Sequence, residues 1–243
     1  MKIHDISQTE NQLIAGLPQK YEPYFKHAQF AVDFMDSFIK SITSKGQFFM
    51  AFFALVHKHF ILAFLSAIRL HHVQANFDFR YATEAGTWAA FALANGEIGK
   101  YADSKQNGIL ETTQKHRKDM YNWLEKHYSL GNDSIEKFKG TLQFSAHANI
   151  ADAFRNTDTS QLKVGNIRTS FFDRPEDHIV KTDLWTVGNL AMGLLDLFYG
   201  VNRDHKAIEF REDFLDKITQ LKQENDRLKE ELKNHPRLKG YAE

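Results

Sequence analysis

The chain has 243 residues and a mass of 28.2 kDa, which is the size of one large domain or of one domain with an appendage. Its 31 basic and 31 acidic side chains cancel, and this balance argues against a protein that binds nucleic acid through net positive charge. Cysteine is absent, which excludes disulfides, thiolate zinc sites and a cysteine nucleophile.

The most apolar segment, Phe48–Ile68, is long enough to span a bilayer. His57, Lys58 and His59 lie at its centre, where a charge is costly in lipid. We therefore expect a buried helix of a soluble bundle, with a membrane-associated helix as the alternative. Residues 1–18 show no basic start followed by an apolar stretch, as a signal peptide would, so we expect a cytoplasmic protein.

The spacing of apolar residues predicts an all-α fold. No proline occurs between Tyr24 and Arg174, and this gap favours long helices because proline disrupts helix interiors. Apolar residues recur at intervals of three and four, which is the period of an amphipathic helix. A small β-hairpin is predicted within residues 161–172, around Gly165-Asn166. The predicted helices are 24–44, 47–95 with a division near His71 and His72, 109–128, 133–156, and one from near Pro175 to Phe198.

The last helix of the predicted bundle is apolar on most sides, so it is expected to be central. Gly188 and Gly193 interrupt it, at a cost of about 1 kcal/mol each relative to alanine. We expect these glycines to allow close approach of a neighbouring helix. Asp183 and Trp185 are interpreted as a capping and packing feature.

The C-terminal segment 206–232 is densely charged and carries sparse aliphatic residues at heptad spacing. Such a seam predicts a coiled coil, and Asn225 at an a position favours a parallel pair of helices. Glu224 at g is within reach of Lys229 at e of a partner helix. The alternative is a helix that lies on the main body. The residues of the seam, which we predict to form a homodimer interface, are Phe214, Ile218, Leu221, Asn225, Leu228 and Leu232.

Motifs of known chemistry are missing from the sequence. There is no phosphate-binding P-loop, no dinucleotide-binding fingerprint and no nucleophile elbow. Histidine occurs 12 times, but no His-x-x-x-His or Glu-x-x-His pair places two metal ligands on one helix face. We therefore predict neither a metal site nor a cofactor.

One predicted helix carries a charged pair in apolar surroundings. Arg80 and Glu84 are four residues apart, so they share one helix face. Phe77, Tyr81 and Trp88 surround them, and a charge that is buried among such residues must be paired or functional. The alternatives are a structural ion pair that ties adjacent helices and a polar pocket in the bundle.

A second polar group lies in the run Ser145-Ala146-His147-Ala148-Asn149, where small side chains let helices approach. His147 is interpreted either as a satisfied core histidine or as a catalytic acid and base. Together with the charged pair, this run defines a predicted binding pocket. Its candidate residues are Arg80, Glu84, His147, His71, His72 and Asn149.

The run from Ala67-Ile68-Arg69 to Arg80-Tyr81-Ala82-Thr83-Glu84-Ala85, followed later by Ser145-Ala146-His147, resembles uncharacterised bacterial helical-bundle proteins. These are similar to the wider HEPN superfamily, whose bundles include ribonucleases and nucleotide-binding partners in toxin and defence systems. The resemblance covers residues 47–155. Catalytic members carry an Arg and a His with four to six residues between them, whereas Arg174 and His178 have three. The resemblance therefore implies a non-catalytic bundle.

These observations predict an all-α bundle of about six helices over residues 1–204, a coiled-coil dimerisation helix over 205–235 and a tail over 236–243. The predicted function is a non-enzymatic, homodimeric binding or regulatory protein, related to stress or defence, that holds a protein partner or a small anionic ligand. The alternative is a diverged HEPN-like ribonuclease or nucleotide-processing enzyme, with His147 as acid and base and Arg80 as phosphate contact. Neither nucleic acid nor a membrane is the expected partner.

Overall fold

The computed structural model describes residues 2–105, 107–143, 157–158, 168–173 and 176–234. Over these residues the fold is an all-α bundle with three short antiparallel strand pairs, which confirms the predicted fold class. The helices are α1 (Ile3–Lys20), α2 (Glu22–Ser37), α3 (Gln47–Ile68), α4 (His72–Ala94), α5 (Gln114–Gln143), α6 (Asp177–His205) and α7 (Phe214–Lys233). The strands are β1 (Ile39–Ile42), β2 (Asp103–Ser104), β3 (Leu110–Glu111), β4 (Thr157–Asp158), β5 (Arg168–Thr169) and β6 (Ile208–Phe210).

The long apolar stretch divides at the predicted place. α3 ends at Ile68 and α4 begins at His72, and Leu70 between them has a φ of 60°. A residue other than glycine rarely adopts this left-handed conformation, and here it allows the chain to reverse direction between the two helices. α3 and α4 form an antiparallel hairpin, in which Phe52 stacks on Trp88 at the end far from the turn.

Several predicted boundaries differ from the observed ones. α1 was not predicted, and the helix predicted over 24–44 ends at Ser37 because β1 follows and pairs with β6. By contrast, the backbone of α5 is not helical at Tyr128, so the predicted division between two helices near this residue is observed as a kink. β5 lies within the predicted second strand of the hairpin, but its partner β4 lies before the predicted first strand, and residues 161–167 lie outside the described residues.

α6 occupies the centre of the bundle, as predicted. It packs against α2, α3, α4, α5 and α7. A Cβ at Gly188 would overlap the imidazole of His27 on α2, so this glycine allows the predicted close approach. The same expectation is wrong for Gly193, where a Cβ would meet nothing within 4 Å. On α4, Gly86 allows a similar approach, because a Cβ there would overlap Leu194 of α6.

α7 lies on α2 and α6 and belongs to the same hydrophobic core as the rest of the chain. Five residues of the predicted seam are buried in this position, and Ile218 is partly buried. Leu221 and Leu228 are fully covered. The structure thus shows the seam in the arrangement of the alternative, with the helix on the main body. Dimerisation through this segment stays a prediction.

Candidate functional site

His72, the first residue of α4, joins this helix to α6. Its Nδ1 lies 2.8 Å from Oδ2 of Asp183, and its Nε2 lies 3.1 Å from Nδ2 of Asn76. The amide nitrogen of Asn76 is a donor, so these contacts assign Nε2 of His72 as the acceptor and Nδ1 as the N–H that donates to Asp183. A carboxylate in this position fixes both the tautomer and the orientation of an imidazole.

Asp183 lies in the interior of α6, and its side chain is 6% exposed. The interpretation of Asp183 as part of a capping feature is therefore wrong, because this carboxylate is a buried partner between helices. An acidic residue on an apolar helix is a signal in the sequence, but His72 precedes it by 111 residues and only the fold shows the pairing. Trp185 fits the packing interpretation, since its Nε1 donates to the main-chain oxygen of Asn225 at 2.9 Å.

Asp173, whose place just before Pro175 predicts a cap for the helix that follows, instead closes the turn between α3 and α4. Its main-chain N–H donates to the carbonyl oxygen of Leu70 at 2.9 Å. Its Oδ2 accepts from the main-chain N–H of Val73 at 3.4 Å, which satisfies one of the free amides in the first turn of α4. Asp173 thereby holds the left-handed Leu70 and the start of the helix that carries His72.

His71 points away from His72, as two adjacent residues at a helix start must. Its Nε2 lies 3.3 Å from Oε1 of Glu10 on α1. Its ring stacks on Phe172 at a centroid distance of 5.4 Å and meets Phe171 edge-on. His71 therefore ties the turn to α1, whereas His72 ties it to α6.

Arg80 and Glu84 share one face of α4, as predicted from their spacing. Nε of Arg80 donates to Oε1 of Glu84 at 3.3 Å, and the two side chains are 30% and 44% exposed. The pair lies at the surface, about 12 Å along α4 from His72. The structure thus separates the charged pair from His72, and His147 and Asn149 lie outside the described residues.

Exposed apolar side chains surround His59 on the outer side of the hairpin. Nδ1 of His59 lies 2.8 Å from Oδ1 of Asp78, and its ring lies 4.0 Å from that of Tyr81, so α3 and α4 meet here. Twelve large apolar side chains are exposed among the described residues, and four of them lie within one helical turn of this contact. These four are Leu55, Leu62, Phe77 and Tyr81, and we refer to them, with Arg80 and Glu84 beside them, as the α3–α4 face.

The burial of α3 is low for so apolar a helix. Among the described residues, two segments are long and apolar enough to cross a membrane by length and composition, Ser44–Ile68 and Asp177–His205. In their most apolar windows, 33% of the first is buried and 61% of the second. The phenylalanine-rich side of α3 faces the core, so the uncovered side carries leucine and alanine. The buried phenylalanines are Phe49, Phe53, Phe60 and Phe64.

A buried polar network holds α7 on the bundle. Nε2 of His27 donates to Oδ1 of Asn225 at 3.2 Å, and Nδ2 of Asn225 donates to Oδ1 of Asn189 at 3.2 Å. Burial lowers the pKa of His27, and the hydrogen bond to Asn225 opposes this effect in part. Asn225, predicted to set the register of two chains, here sets the register of α7 on its own bundle.

Arg80 and Glu84 line neither of two grooves that open on the described surface. The first, of about 370 Å³, lies between α1 and the start of α6, and the second, of about 200 Å³, lies between α2 and α7. Among the residues that the structure describes, no group of three or more His, Asp or Glu side chains is placed to hold a metal ion.

No protein-family model, no curated protein and no solved structure matches this chain. The resemblance to HEPN bundles therefore stays a prediction. The structure defines the class of the protein as an all-α bundle with a buried His–Asp pair and an uncovered apolar face.

Proposed function

We propose that this chain is a non-enzymatic binding or regulatory protein that docks a protein partner on the α3–α4 face. The observation that carries this proposal is the clustering of Leu55, Leu62, Phe77 and Tyr81, each between 36% and 46% exposed. Exposed apolar residues are common singly, but a contiguous group on neighbouring helical turns marks an interaction surface.

The composition of the face also supports docking of a protein. Tyrosine, phenylalanine and arginine are enriched at protein interfaces, and Tyr81, Phe77 and Arg80 lie side by side here. Arg80 and Glu84 supply a polar edge beside the apolar centre, which is the usual arrangement of an interface. Complete burial of each partly exposed side chain would contribute up to about 1 kcal/mol.

The face is rigid before any partner arrives. Phe60 and Phe79 on the reverse side of the two helices are fully buried in the core. The ring contact of His59 with Tyr81 and the bond of His59 to Asp78 lock the helices to each other. A surface that is already ordered loses little conformational entropy when it binds.

A photo-crosslinking experiment tests this proposal. Phe77 is replaced by p-benzoylphenylalanine in the living cell, and the matched control carries the same replacement at Leu130, which is 84% exposed on α5. We expect a covalent protein adduct from position 77, either with a second copy or with another protein, and none from position 130. The absence of an adduct from position 77 would contradict the docking function.

The His72–Asp183 pair favours a second candidate, a nucleotide-processing enzyme in which His72 acts as acid and base. A carboxylate that is hydrogen-bonded to an imidazole stabilises the imidazolium that forms when the imidazole accepts a proton. Hydrolysis of RNA or of a nucleotide phosphodiester by the natural chain, lost in His72→Asn and kept in the control His4→Asn, would support this candidate. A natural chain that hydrolyses neither substrate would rule it out.

A further inference from the structure

The groove between α2 and α7 is lined by a buried histidine whose Nδ1 has no hydrogen-bond partner among the described residues. We propose that this groove binds a divalent transition-metal ion through Nδ1 of His27, with Glu224 and Gln220 as oxygen ligands. None of these residues belongs to the α3–α4 face, so the proposal is independent of the docking function. The residues that line the groove, whose volume is about 200 Å³, are Pro23, Lys26, His27, Phe30, Gln220 and Glu224.

The unpartnered nitrogen of His27 carries a lone pair. Nδ2 of Asn225 donates to Asn189, so the oxygen of Asn225 faces His27 and Nε2 of the imidazole carries the ring proton. Nδ1 is therefore the unprotonated nitrogen, which is the form that binds metal ions. His27 is 3% exposed, and a buried acceptor is nearly always satisfied in a folded protein. The lone pair thus indicates a ligand.

The imidazole is already held in the orientation that a metal ligand needs. Its Nε2, Cδ2 and Cε1 are the atoms nearest to a Cβ built at Gly188, so Nδ1 lies on the ring edge that faces away from α6. Nε2 donates to the amide oxygen of Asn225. A bond of this kind, from the second ring nitrogen to an oxygen acceptor, lies behind almost every metal-binding histidine and fixes its tautomer.

α7 supplies two oxygen ligands on the opposite wall of the groove. Gln220 and Glu224 are four residues apart, so they share one helix face, and both line the groove. Burial lowers the pKa of His27 and the charge of Glu224 partly offsets this, because the carboxylate is close to the ring. Each oxygen of Glu224 accepts one N–H from Arg227, and an ionised carboxylate keeps further lone pairs for a metal ion.

The ligand set explains why no pattern in the sequence predicts this site. The ligands come from two helices that are far apart along the chain, and only the fold brings them to one groove. Two of the three are a histidine and a carboxylate, and the third is an amide oxygen. The site therefore differs from the clusters of three His, Asp or Glu side chains, which are absent among the described residues.

The dimensions of the groove suit a metal ion with bound water. A zinc–nitrogen bond is about 2.0–2.1 Å long, whereas a water molecule needs about 2.9 Å. An ion can therefore reach a nitrogen that is closed to water. The remaining volume has room for several water molecules of about 30 Å³ each, which complete the coordination of the ion.

The residue types favour a transition metal over other ligands. Imidazole nitrogen suits zinc, copper, iron and nickel, whereas magnesium and calcium prefer oxygen ligands throughout. An anion would meet the carboxylate of Glu224 and the lone pair of His27. The ammonium group of Lys26 is bound to Glu22, so its charge is already neutralised beside the groove.

A zinc titration of the full chain, freed of metal with a chelator, tests the proposal. Calorimetry is expected to show one Zn²⁺ bound per chain and no binding of Mg²⁺. Glu224→Gln and Gln220→Ala should each raise the dissociation constant for Zn²⁺ at least about tenfold, because each removes one ligand. Neither side chain is buried, and circular dichroism checks that both variants are folded.

Nitrogen NMR of the natural chain, labelled with ¹⁵N-histidine, identifies the ligand atom without replacing His27. Before Zn²⁺ is added, His27 should show a protonated Nε2 and an unprotonated Nδ1. Zn²⁺ should shift the Nδ1 resonance while Nε2 keeps its proton. A purely structural role of His27 would not produce this shift.

The matched control is Glu10→Gln, which alters another contact between a histidine and a carboxylate, that of His71 with Glu10. It is expected to leave zinc binding unchanged, and a loss of binding there would move the ion to α1 and overturn the proposal. A chain that binds no Zn²⁺, binds Mg²⁺ equally well, or binds Zn²⁺ as tightly after either replacement in the groove also contradicts it. An Nδ1 resonance that Zn²⁺ leaves in place would show that water alone satisfies this nitrogen.

Discussion

The contact of Gly188 with His27 shows how one missing side chain sets the distance between two helices. A Cβ at Gly188 would overlap the imidazole, which Asn225 holds from the other side. We expect Gly188→Ala to lower the free energy of unfolding by about 1–3 kcal/mol, because the imidazole or the two helices must shift to admit the added methyl group. Urea denaturation measures this change.

Gly193, on the same helix, is the matched control. A Cβ there meets nothing within 4 Å, so Gly193→Ala should leave the stability unchanged or raise it by up to about 1 kcal/mol through the helix propensity of alanine. Equal losses in the two variants would contradict the proposed contact.

His27 also predicts a dependence of stability on pH. Burial lowers the pKa of His27 below the ordinary value of 6.5, so the folded chain binds this proton less readily than the unfolded chain. The stability contributed by neutral His27 is full above about pH 6.5 and is lost as the pH falls from there through the lowered pKa. Asn225, Glu224 and Arg227 of α7 face this ring: the hydrogen bond of Asn225 and the charge of Glu224 raise the pKa in part, and Arg227 lowers it further.

Replacement of the histidine tests this dependence. From pH 7.5 to pH 5, His27→Gln should lose less stability than the natural chain, because glutamine binds no proton in this range. The control His4→Gln, at an exposed position of α1, should keep the natural dependence. Urea midpoints at the two pH values provide the comparison, and identical slopes for all three proteins would contradict the role of His27.

At the scale of elements, the two interpretations of α7 are a dimer seam and a helix packed on its own bundle, and they differ in what its leucines contact. Leu221 is fully buried and Leu215 is 54% exposed on the same helix. Leu221→Ala should lower the free energy of unfolding by about 2–5 kcal/mol at any protein concentration, because the cavity forms within one chain. Leu215→Ala should change it by no more than about 0.5 kcal/mol. A loss that depends on protein concentration would instead indicate pairing of two chains through this seam.

Helix periodicity predicted the elements correctly where a helix-breaking or charged residue marks the end of a helix. The division near His71 and His72 is confirmed, and so is the central place of α6. β1 was predicted as the end of a helix, because Ile39 and Ile42 are three residues apart, as in an amphipathic helix, and only the pairing with β6 makes this segment a strand. α1 has few apolar residues and takes its helical form partly through packing on α2.

At the scale of the whole molecule, the core is shared between the bundle and α7. A chain that ends after Arg203 loses β6 and α7 and uncovers the sides of α2 and α6 that now hold Phe214, Leu221 and Leu228. We expect this truncated chain to unfold or aggregate, because its remaining core is open to water. A folded, soluble truncated chain, detected by circular dichroism and sedimentation, would show that α7 is an independent appendage.

The sequence by itself determined the all-α class, the lack of cysteine chemistry and the amphipathic faces of the helices, because these depend on composition and on contacts within a few residues. It also brought attention to Arg80, Glu84, His71 and His72, whose residue types are unusual on such helices. Only the tertiary structure decided what each of them faces. His72 and Asp183, which form a pair in the fold, are 111 residues apart in the sequence. The heptad spacing of α7 is compatible both with a second chain and with the helix's own bundle, so the linear sequence does not distinguish these two partners. Such choices depend on which surfaces remain uncovered after the chain has packed, and that is a property of the whole fold.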